Sequence, residues 1–210
     1  MGSLDLREIL SFSAMYRLFS TLIGSQGLHT ECVEKYVRPH KGDRVLDCGC
    51  GPGVFVDFLP EVEYVGIDMD EAHIDSARSR FGDRAIFRLG PVDHSTMREK
   101  GHYDLVLAGG LLHHLDDRQL SDFLTLARGC LKETGRLVTI DGCYTDDQSA
   151  GARRLLDRDR GMFVRHLDRY LELVRPVFPG VHAHVRHNLL RIPSTHLIME
   201  CPAAGIQLPD

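Results

Sequence analysis

The sequence predicts an α/β fold, with a single doubly wound, mostly parallel sheet of seven strands and helices on both faces. Short apolar segments typical of buried strands alternate with segments of helical periodicity over most of the 210 residues. That alternation implies parallel strands joined by helices. A glycine-rich turn at residues 49–53 follows the first of these strands. Sheets of this type bind ligands at the edge where such turns lie.

Each element follows from the local sequence. Five strands are predicted first, at 43–48, 64–68, 85–89, 103–108 and 136–141. Helices are predicted before and between them, at 4–23, 28–37, from about 54, 70–81 and 117–131. A broken helical region follows at 146–175, and two further strands lie near 181–189 and 195–201. We expect one domain, because no repeat or long linker marks a boundary and the chain can bury a substantial core.

The composition excludes several classes of function. A net charge of −5 argues against broad binding to nucleic acids or anionic membranes. No apolar run approaches the roughly 20 residues that span a bilayer, and the N-terminus lacks a signal-peptide pattern. We therefore expect a cytoplasmic protein that binds neither nucleic acid nor membrane. The oligomeric state is not predicted.

The cysteines and histidines predict no metal site. Six cysteines are scattered without a C-x-x-C pair, as in a protein with reduced thiols. His182 and His184 alternate on a predicted strand, but no acidic or cysteine partner is evident. Surface or core roles are expected for them.

The glycine-rich turn carries the strongest functional signal. Gly49, Gly51 and Gly53 form a G-x-G-x-G pattern after Asp47. Glycine lets the backbone adopt positive φ and lie close to a ligand. A dinucleotide fingerprint needs G-x-G-x-x-G and a phosphate loop needs Gly-Lys-Ser/Thr, so neither is indicated. The acid Asp47 suits a ligand that carries an amine.

Asp68 ends the second strand, 15 residues after Gly53. Its two oxygens can accept hydrogen bonds from the two hydroxyls of a ribose. The alternative is a helix cap, because Asp68 and Asp70 both lie at the start of the predicted helix at 70–81. Met69 also has two interpretations, as a residue packed beside an adenine or as a core residue.

Three stretches resemble motifs of class I S-adenosylmethionine-dependent methyltransferases. Residues 45–53 (VLDCGCGPG) resemble the first motif, an apolar pair followed by D/E, x, G, x, G, x, G. Residues 103–115 (YDLVLAGGLLHHL) resemble the FDLV…LHHL pattern, and 131–137 (LKETGRL) resembles the LKPGG turn. The likeness covers about residues 42–143. It implies a Rossmann-like methyltransferase fold, S-adenosyl-L-methionine as cofactor, and methyl transfer to a small-molecule acceptor.

The resemblance also implies a set of cofactor contacts. Pro91 stands where the family often has an acid that meets the adenine amino group, so Asp93 or the Val92 amide is the expected substitute. The alternative for Asp93 is a solvated turn. Tyr16 lies on the first predicted helix, which in this family can fold over the cofactor as a lid. The alternative for Tyr16 is packing in the core. The predicted cofactor-binding residues are Tyr16, Asp47, Gly49, Cys50, Gly51, Asp68, Met69, Val92, Asp93, Ala108 and Gly109.

The same resemblance divides the predicted domain, 1–210, into four segments. Residues 1–40 are the expected N-terminal helical lid, and 42–143 are the cofactor-binding core. Residues 144–176 are the expected substrate-side helices, and 177–210 are the C-terminal strands.

His113 and His114 are the best candidates for a general base. They follow the fourth strand, on the edge where the acceptor is expected, and histidine titrates near neutral pH. We predict that His113 faces the acceptor while the other histidine packs beneath the site. The alternative is a structural histidine. Asp141 and Tyr144, at the end of the fifth strand, are further candidates.

Six arginines between residues 153 and 169 include Arg160 and Arg165. The guanidinium group suits a carboxylate or phosphate, which favours an anionic acceptor. Interleaved acids make a solvated surface of paired charges the alternative. The predicted substrate residues are His114, Tyr144, Arg160 and Arg165.

Other functions stay open from the sequence. A non-catalytic module that binds an adenosyl ligand would keep the same motifs, and an RNA or protein methyltransferase would share the fold. A reductase that uses NAD is disfavoured by the glycine spacing. The methylated atom, whether N, O, S or C, is not predicted.

Overall fold

The computed structural model describes residues 25–158, 162–187 and 189–204, so the helix predicted for 4–23 lies outside the described residues. The described strands are β1 (Arg44–Cys48), β2 (Glu63–Asp68), β3 (Ala85–Leu89), β4 (Tyr103–Gly109), β5 (Leu131–Tyr144), β6 (Arg165–His166), β7 (His182–His187) and β8 (Thr195–Pro202). Seven of them are hydrogen-bonded in the order β3-β2-β1-β4-β5-β8-β7. The two-residue β6, which the sequence did not predict, pairs with the end of β5.

The sheet is mostly parallel, as predicted. The pairs from β3 through β5 are parallel. Only β8, within the described strands, runs antiparallel to both of its neighbours. The carboxyl ends of β1, β2 and β4 therefore meet at one edge of the sheet.

The described helices are α1 (Ser25–Cys32, continued by a π-helical turn at Val33–Val37), α2 (Glu71–Phe81), α3 (Asp117–Cys130), α4 (Ala150–Leu156) and α5 (Leu167–Val174). These agree with the predicted helices within a few residues. The helix expected from residue 54 is a single 3-10 turn, Val54–Asp57. Pro60 explains the difference, because the residue before a proline avoids the α conformation.

The fifth strand begins earlier than predicted and contains a bulge. Tyr103 pairs with Leu131, whereas Leu105 already pairs with Arg136. The residues between the two pairs are the ones predicted as a turn. A β-carbon on Gly135 would lie 2.8 Å from the Tyr103 carbonyl oxygen, so glycine allows the two strands to stay together there.

Apolar side chains cover both faces of the sheet. The apolar layer between the sheet and helices α3 and α5 includes Leu120, Phe123 and Tyr170. Cys32 and Ile74 belong to the layer beneath α1 and α2. The burial of apolar surface is the main stabilising contribution to such a fold. The prediction of helices on both faces is confirmed.

All six cysteines are buried and none forms a disulfide. In the part of the chain that the structure describes, we find no helix with the length and apolar character to pass through a lipid bilayer.

Candidate active site

A large cleft opens at the carboxyl ends of β1, β2 and β4. Its volume is 1640 Å³, above the roughly 300–1,000 Å³ of a typical small-molecule site. The first turn of α1, the glycine-rich turn and the loop after β3 contribute to its lining. The cleft therefore has room for two small ligands side by side.

The glycine-rich turn has the backbone shape that its sequence predicts. Gly49, Gly51 and Gly53 have φ values of 73°, 53° and 75°, which residues with a β-carbon rarely adopt. A β-carbon on Gly53 would also lie 3.1 Å from the Phe87 ring. The Gly49 amide donates to the Ile67 carbonyl at 2.8 Å, which holds the turn against β2.

Asp68 lies where β2 meets this turn, and it lines the cleft. Its Oδ2 accepts from the Gly51 amide at 2.8 Å, and its Oδ1 accepts from the Asp70 amide at 2.9 Å. Burial by itself would raise the pKa of Asp68, but the His73 ring and these two amides hold that pKa below its usual value. A carboxylate has about four acceptor positions, so the ionised group can accept further hydrogen bonds from the cleft.

The neighbours of Asp68 decide which aspartate caps the helix and whether Met69 is a core residue. Asp70 caps α2, because its Oδ1 accepts from the amides of Ala72 and His73 at 2.8 and 3.2 Å. The capping role therefore belongs to Asp70. Met69 is 79% exposed and lines the cleft, so it is not a core residue.

Three predicted cofactor residues have buried side chains outside the described lining. Asp47 is 1% exposed and accepts a hydrogen bond from the Tyr64 hydroxyl at 2.5 Å. Burial raises the pKa of Asp47 to about 7, against the lowering effect of this hydrogen bond. Cys50 and Ala108 are buried in the apolar layers. These side chains support the glycine-rich turn and the end of β4 from below.

Gly109, Val92 and Asp93 line the cleft. A β-carbon on Gly109 would lie 2.9 Å from the Phe55 ring, so the strand and the ring can be this close only with glycine there. Asp93 Oδ1 accepts from the amide and the hydroxyl of Ser95 at 2.7 and 2.6 Å, and these bonds lower the pKa of Asp93. Asp93 is therefore a turn residue that also faces the cleft, and the adenine contact stays a prediction.

The two histidines after β4 have different environments. The His113 side chain is 12% exposed, and its Nδ1 lies 2.8 Å from Asp141 Oδ1. Burial raises the pKa of Asp141, and His113 partly offsets this effect. His114 lines the cleft, whereas His113 is absent from the described lining. This arrangement differs from the predicted one, in which His113 faces the acceptor, because the buried carboxylate holds that ring.

Arg165 lies in the interior rather than in the described lining of the cleft. Its guanidinium group donates to Asp117 Oδ1 at 2.9 Å and to the carbonyls of Leu112, Phe163 and Leu115 at 3.2, 2.8 and 2.6 Å. These bonds connect the segment after β4 to the start of α3. The structure thus gives Arg165 a structural role in place of the predicted acceptor contact.

Tyr144 is also outside the described lining. Its hydroxyl donates to Asp157 Oδ1 at 2.9 Å, and the Arg153 guanidinium lies 5.3 Å from its ring centre. Tyr16 and Arg160 lie outside the described residues. No group of three or more side chains suited to a metal ion occurs in the described ranges.

Comparisons with known proteins agree with this geometry. Residues 46–137 match a family model described as a methyltransferase domain. The matched residues are a methyltransferase domain, and their fold and motifs are those of the class I S-adenosylmethionine-dependent family. S-adenosylmethionine is the cofactor of this family.

Two curated relatives of this chain are named as O-methyltransferases. The ubiquinone biosynthesis O-methyltransferase of Acinetobacter baylyi is 26% identical over 128 residues, which are 55% of this chain and 54% of the relative. The malonyl-[acyl-carrier protein] O-methyltransferase of Legionella pneumophila is 32% identical over 105 residues, 48% of this chain and 34% of the relative. The chain spans about half the length of the first relative and a third of the second.

Solved structures share the fold of this chain. A TehB-like methyltransferase from Corynebacterium glutamicum has a TM-score of 0.63 and 18% identity, covering 94% of this chain and 98% of its own. The geranyl diphosphate C-methyltransferase of Streptomyces coelicolor, solved with S-adenosyl-L-homocysteine, has a TM-score of 0.61 and 16% identity, covering 84% and 80%. At these identities the likeness concerns the fold alone.

The cleft contains one residue that the sequence did not single out. His29 on α1 lines the cleft near the glycine-rich turn. The sequence could not indicate His29, because a single histidine on an eight-residue helix belongs to no motif. Its position in the cleft depends on how α1 packs against the 3-10 turn at Val54–Asp57.

Proposed function

We propose that this methyltransferase transfers the methyl group of S-adenosylmethionine to a hydroxyl oxygen of a neutral small molecule. Asp68 is the observation that carries the proposal, because an ionised carboxylate with open acceptor positions faces the cleft beside the glycine-rich turn. Bound S-adenosylmethionine supplies a methyl group activated on a positive sulfur. The protein supplies binding, orientation and a site with little competing water.

The described lining fits the parts of the cofactor. Asp68 would accept hydrogen bonds from the ribose diol. Met69 and Val92 would contact the adenine with apolar surface, and the exposed methionine is otherwise without a packing role. Gly49 and Gly109 would leave room for the methionine part of the cofactor, since neither residue carries a β-carbon.

The charge of the lining supports a neutral acceptor over an anionic one. The described lining includes one arginine, Arg80, which is paired with Asp57 at 2.6 Å. Several carboxylates surround the cleft, and an anion would experience their negative potential. The lining aspartates are Asp57, Asp68, Asp70, Asp93 and Asp122.

An oxygen acceptor is proposed because two relatives that this chain resembles are named as O-methyltransferases. A hydroxyl is proposed over a carboxylate because the lining of the cleft is acidic. Oxygen acceptors are weak nucleophiles while they keep their proton, so a base that removes it speeds the transfer. The cleft contains histidines that can serve this purpose.

Calorimetry tests the cofactor part of the proposal. We expect S-adenosylmethionine and S-adenosylhomocysteine to bind the protein, and NAD to give no heat. Asp68→Ala should weaken binding by about 1–3 kcal/mol, the range for a lost partner of a buried polar group. Asp75→Ala is the matched control, since Asp75 is an exposed aspartate on α2 outside the described lining. Equal affinity in both variants would remove Asp68 from the ribose role.

A mass-spectrometric screen tests the transfer. The purified protein and S-adenosylmethionine are incubated with panels of phenols, aliphatic alcohols, carboxylic acids and amines, and products that gain one methyl group are identified. We expect products among the neutral hydroxyl compounds. Cofactor binding without any product would favour the non-catalytic module, and methylation of added RNA or protein alone would overturn the small-molecule acceptor.

A further inference from the structure

We propose that His29 is the general base of the methyl transfer and accepts the hydroxyl proton of the acceptor at Nε2. The inference deepens the proposed function and rests on it. It adds a catalytic residue on α1, whereas the histidines singled out from the sequence follow β4.

The hydrogen bonding of His29 fixes which ring nitrogen is basic. Nδ1 lies 2.6 Å from the carbonyl oxygen of Ser25. A carbonyl can only accept, so Nδ1 carries the hydrogen and Nε2 of the neutral ring carries the lone pair. The backbone of α1 therefore has the orienting role that a carboxylate has in many catalytic histidines.

Aromatic packing fixes the plane of the ring. His29 stacks on Phe58 at a centroid distance of 5.3 Å and 16°, and it meets Phe55 edge-on at 5.1 Å and 80°. The Phe55 ring in turn lies against Gly109 at the end of β4. The Phe55 ring thus connects His29 to the strand end where the methionine part of the cofactor is proposed to lie.

The protonation state of His29 suits a base at neutral pH. Burial lowers the pKa of His29, and the Ser25 carbonyl offsets this effect only in part. The charged groups of the packed elements are already paired: Asp57 with Arg80 at 2.6 Å, and Glu31 with Arg186 at 2.6 Å. The ring is therefore neutral and ready to accept a proton.

The proposed step balances in atoms and charge. As the acceptor oxygen forms its bond to the methyl carbon, its proton passes to His29 Nε2. The carbon–sulfur bond of the donor breaks, and its electron pair stays on sulfur as a neutral thioether. The imidazolium then returns its proton to water, which reaches the partly exposed ring from the cleft.

Nuclear magnetic resonance of the ring nitrogens tests the inference without any acceptor. In wild-type protein saturated with S-adenosylhomocysteine, we expect the tautomer with hydrogen on Nδ1 and a pKa below 6.5, the ordinary value. Hydrogen on Nε2, or a pKa above that value, would overturn the role of His29 and leave the proposed function intact. Failure of S-adenosylhomocysteine to bind wild-type protein would instead overturn the proposed function, and this inference with it.

Kinetics with a phenol or alcohol from the screen tests the same inference by activity. His29→Gln keeps a hydrogen-bond donor but has no basic nitrogen. It should lower kcat by about 10²–10⁴-fold, the usual contribution of a general base, and abolish the fall of the rate at acid pH. Its affinity for S-adenosylhomocysteine should stay within about threefold of wild type, because the lost property is basicity. His29→Asn is the second variant, with thermal melting of both variants as the check on folding.

Two variants serve as comparisons. His40→Gln changes a largely exposed histidine outside the described cleft lining and should keep the wild-type rate and pH profile. His114→Gln tests the rival base. If the fall of the rate at acid pH disappears in His114→Gln but persists in His29→Gln, the base is His114 and the inference is wrong. A raised KM for S-adenosylmethionine with unchanged kcat in His29→Gln would make His29 a donor-binding residue and would also overturn it.

Discussion

The two sides of the cleft are built in different ways. On the donor side, the glycine-rich turn and Asp68 form a short local unit, in which the Gly51 amide donates to the Asp68 carboxylate 17 residues away. On the acceptor side, the segment after β4 is held by residues from distant parts of the chain. Asp141 holds His113, and Arg165 holds the backbone around it. The donor side therefore depends on backbone shape, and the acceptor side depends on buried polar side chains.

The His113 and Asp141 pair is expected to show the largest effect. His113→Ala removes the imidazole from a buried carboxylate and leaves it only backbone amide donors. This should lower the free energy of unfolding by about 3–5 kcal/mol. Burial already raises the pKa of Asp141, and the variant raises it further. The stability loss should therefore grow as pH rises, because ionisation of the buried acid becomes the costly state.

Urea unfolding of this variant at several pH values measures the effect. His113→Gln retains an amide donor for Asp141 and should recover part of the loss. A small loss that is independent of pH would show that the buried pair does not stabilise the acceptor side.

Arg165 is expected to have the next largest effect. Arg165→Met should destabilise the protein by about 1–3 kcal/mol, because it removes the donors from buried backbone carbonyls. Arg169→Met is the matched control, since Arg169 shares the partner Asp117 but is half exposed. The control should cost about 0–1 kcal/mol, as is usual for surface ion pairs. Equal unfolding free energies in the two variants would contradict the structural role of Arg165.

Asp47 is expected to change how stability depends on pH, which sharpens the description of the donor side. Its pKa in the folded protein is about 7, against an ordinary value of 3.8. The folded state therefore holds this proton more tightly than the unfolded state, and the contribution of Asp47 to stability falls as pH rises from about 4 to about 7. Asp47→Asn cannot titrate, so the variant should gain stability relative to wild type over that range.

Unfolding curves at several pH values measure the contribution of Asp47. Tyr64→Phe is the companion variant, because loss of its hydrogen bond should raise the pKa of Asp47 further and extend the fall to higher pH. A difference between wild type and Asp47→Asn that stays constant with pH would show that Asp47 is ionised throughout.

The elements of the fold could largely be predicted from the sequence. Strands and helices follow from local periodicity, and the described ones match within a few residues, apart from the two-residue β6, which was not predicted, and two further differences. Pro60 shortens the segment after the glycine-rich turn to a single 3-10 turn. The bulge in β5 pairs residues that have the composition of a turn. Both differences depend on neighbours that a periodicity pattern does not contain.

The two sides of the cleft also differ in how well their site residues could be predicted from the sequence. The sequence by itself determined the glycine-rich turn and the position of Asp68, because positive φ and the end of a strand are local properties of the chain. Only the tertiary structure decided which polar side chains face the cleft. Arg165 and His113 are drawn inward by partners that are 28 to 53 residues away, while packing of α1 brings His29 to the surface of the cleft. The physical reason is that a buried polar group must find a partner wherever the fold provides one, and that partner has no fixed place in the sequence.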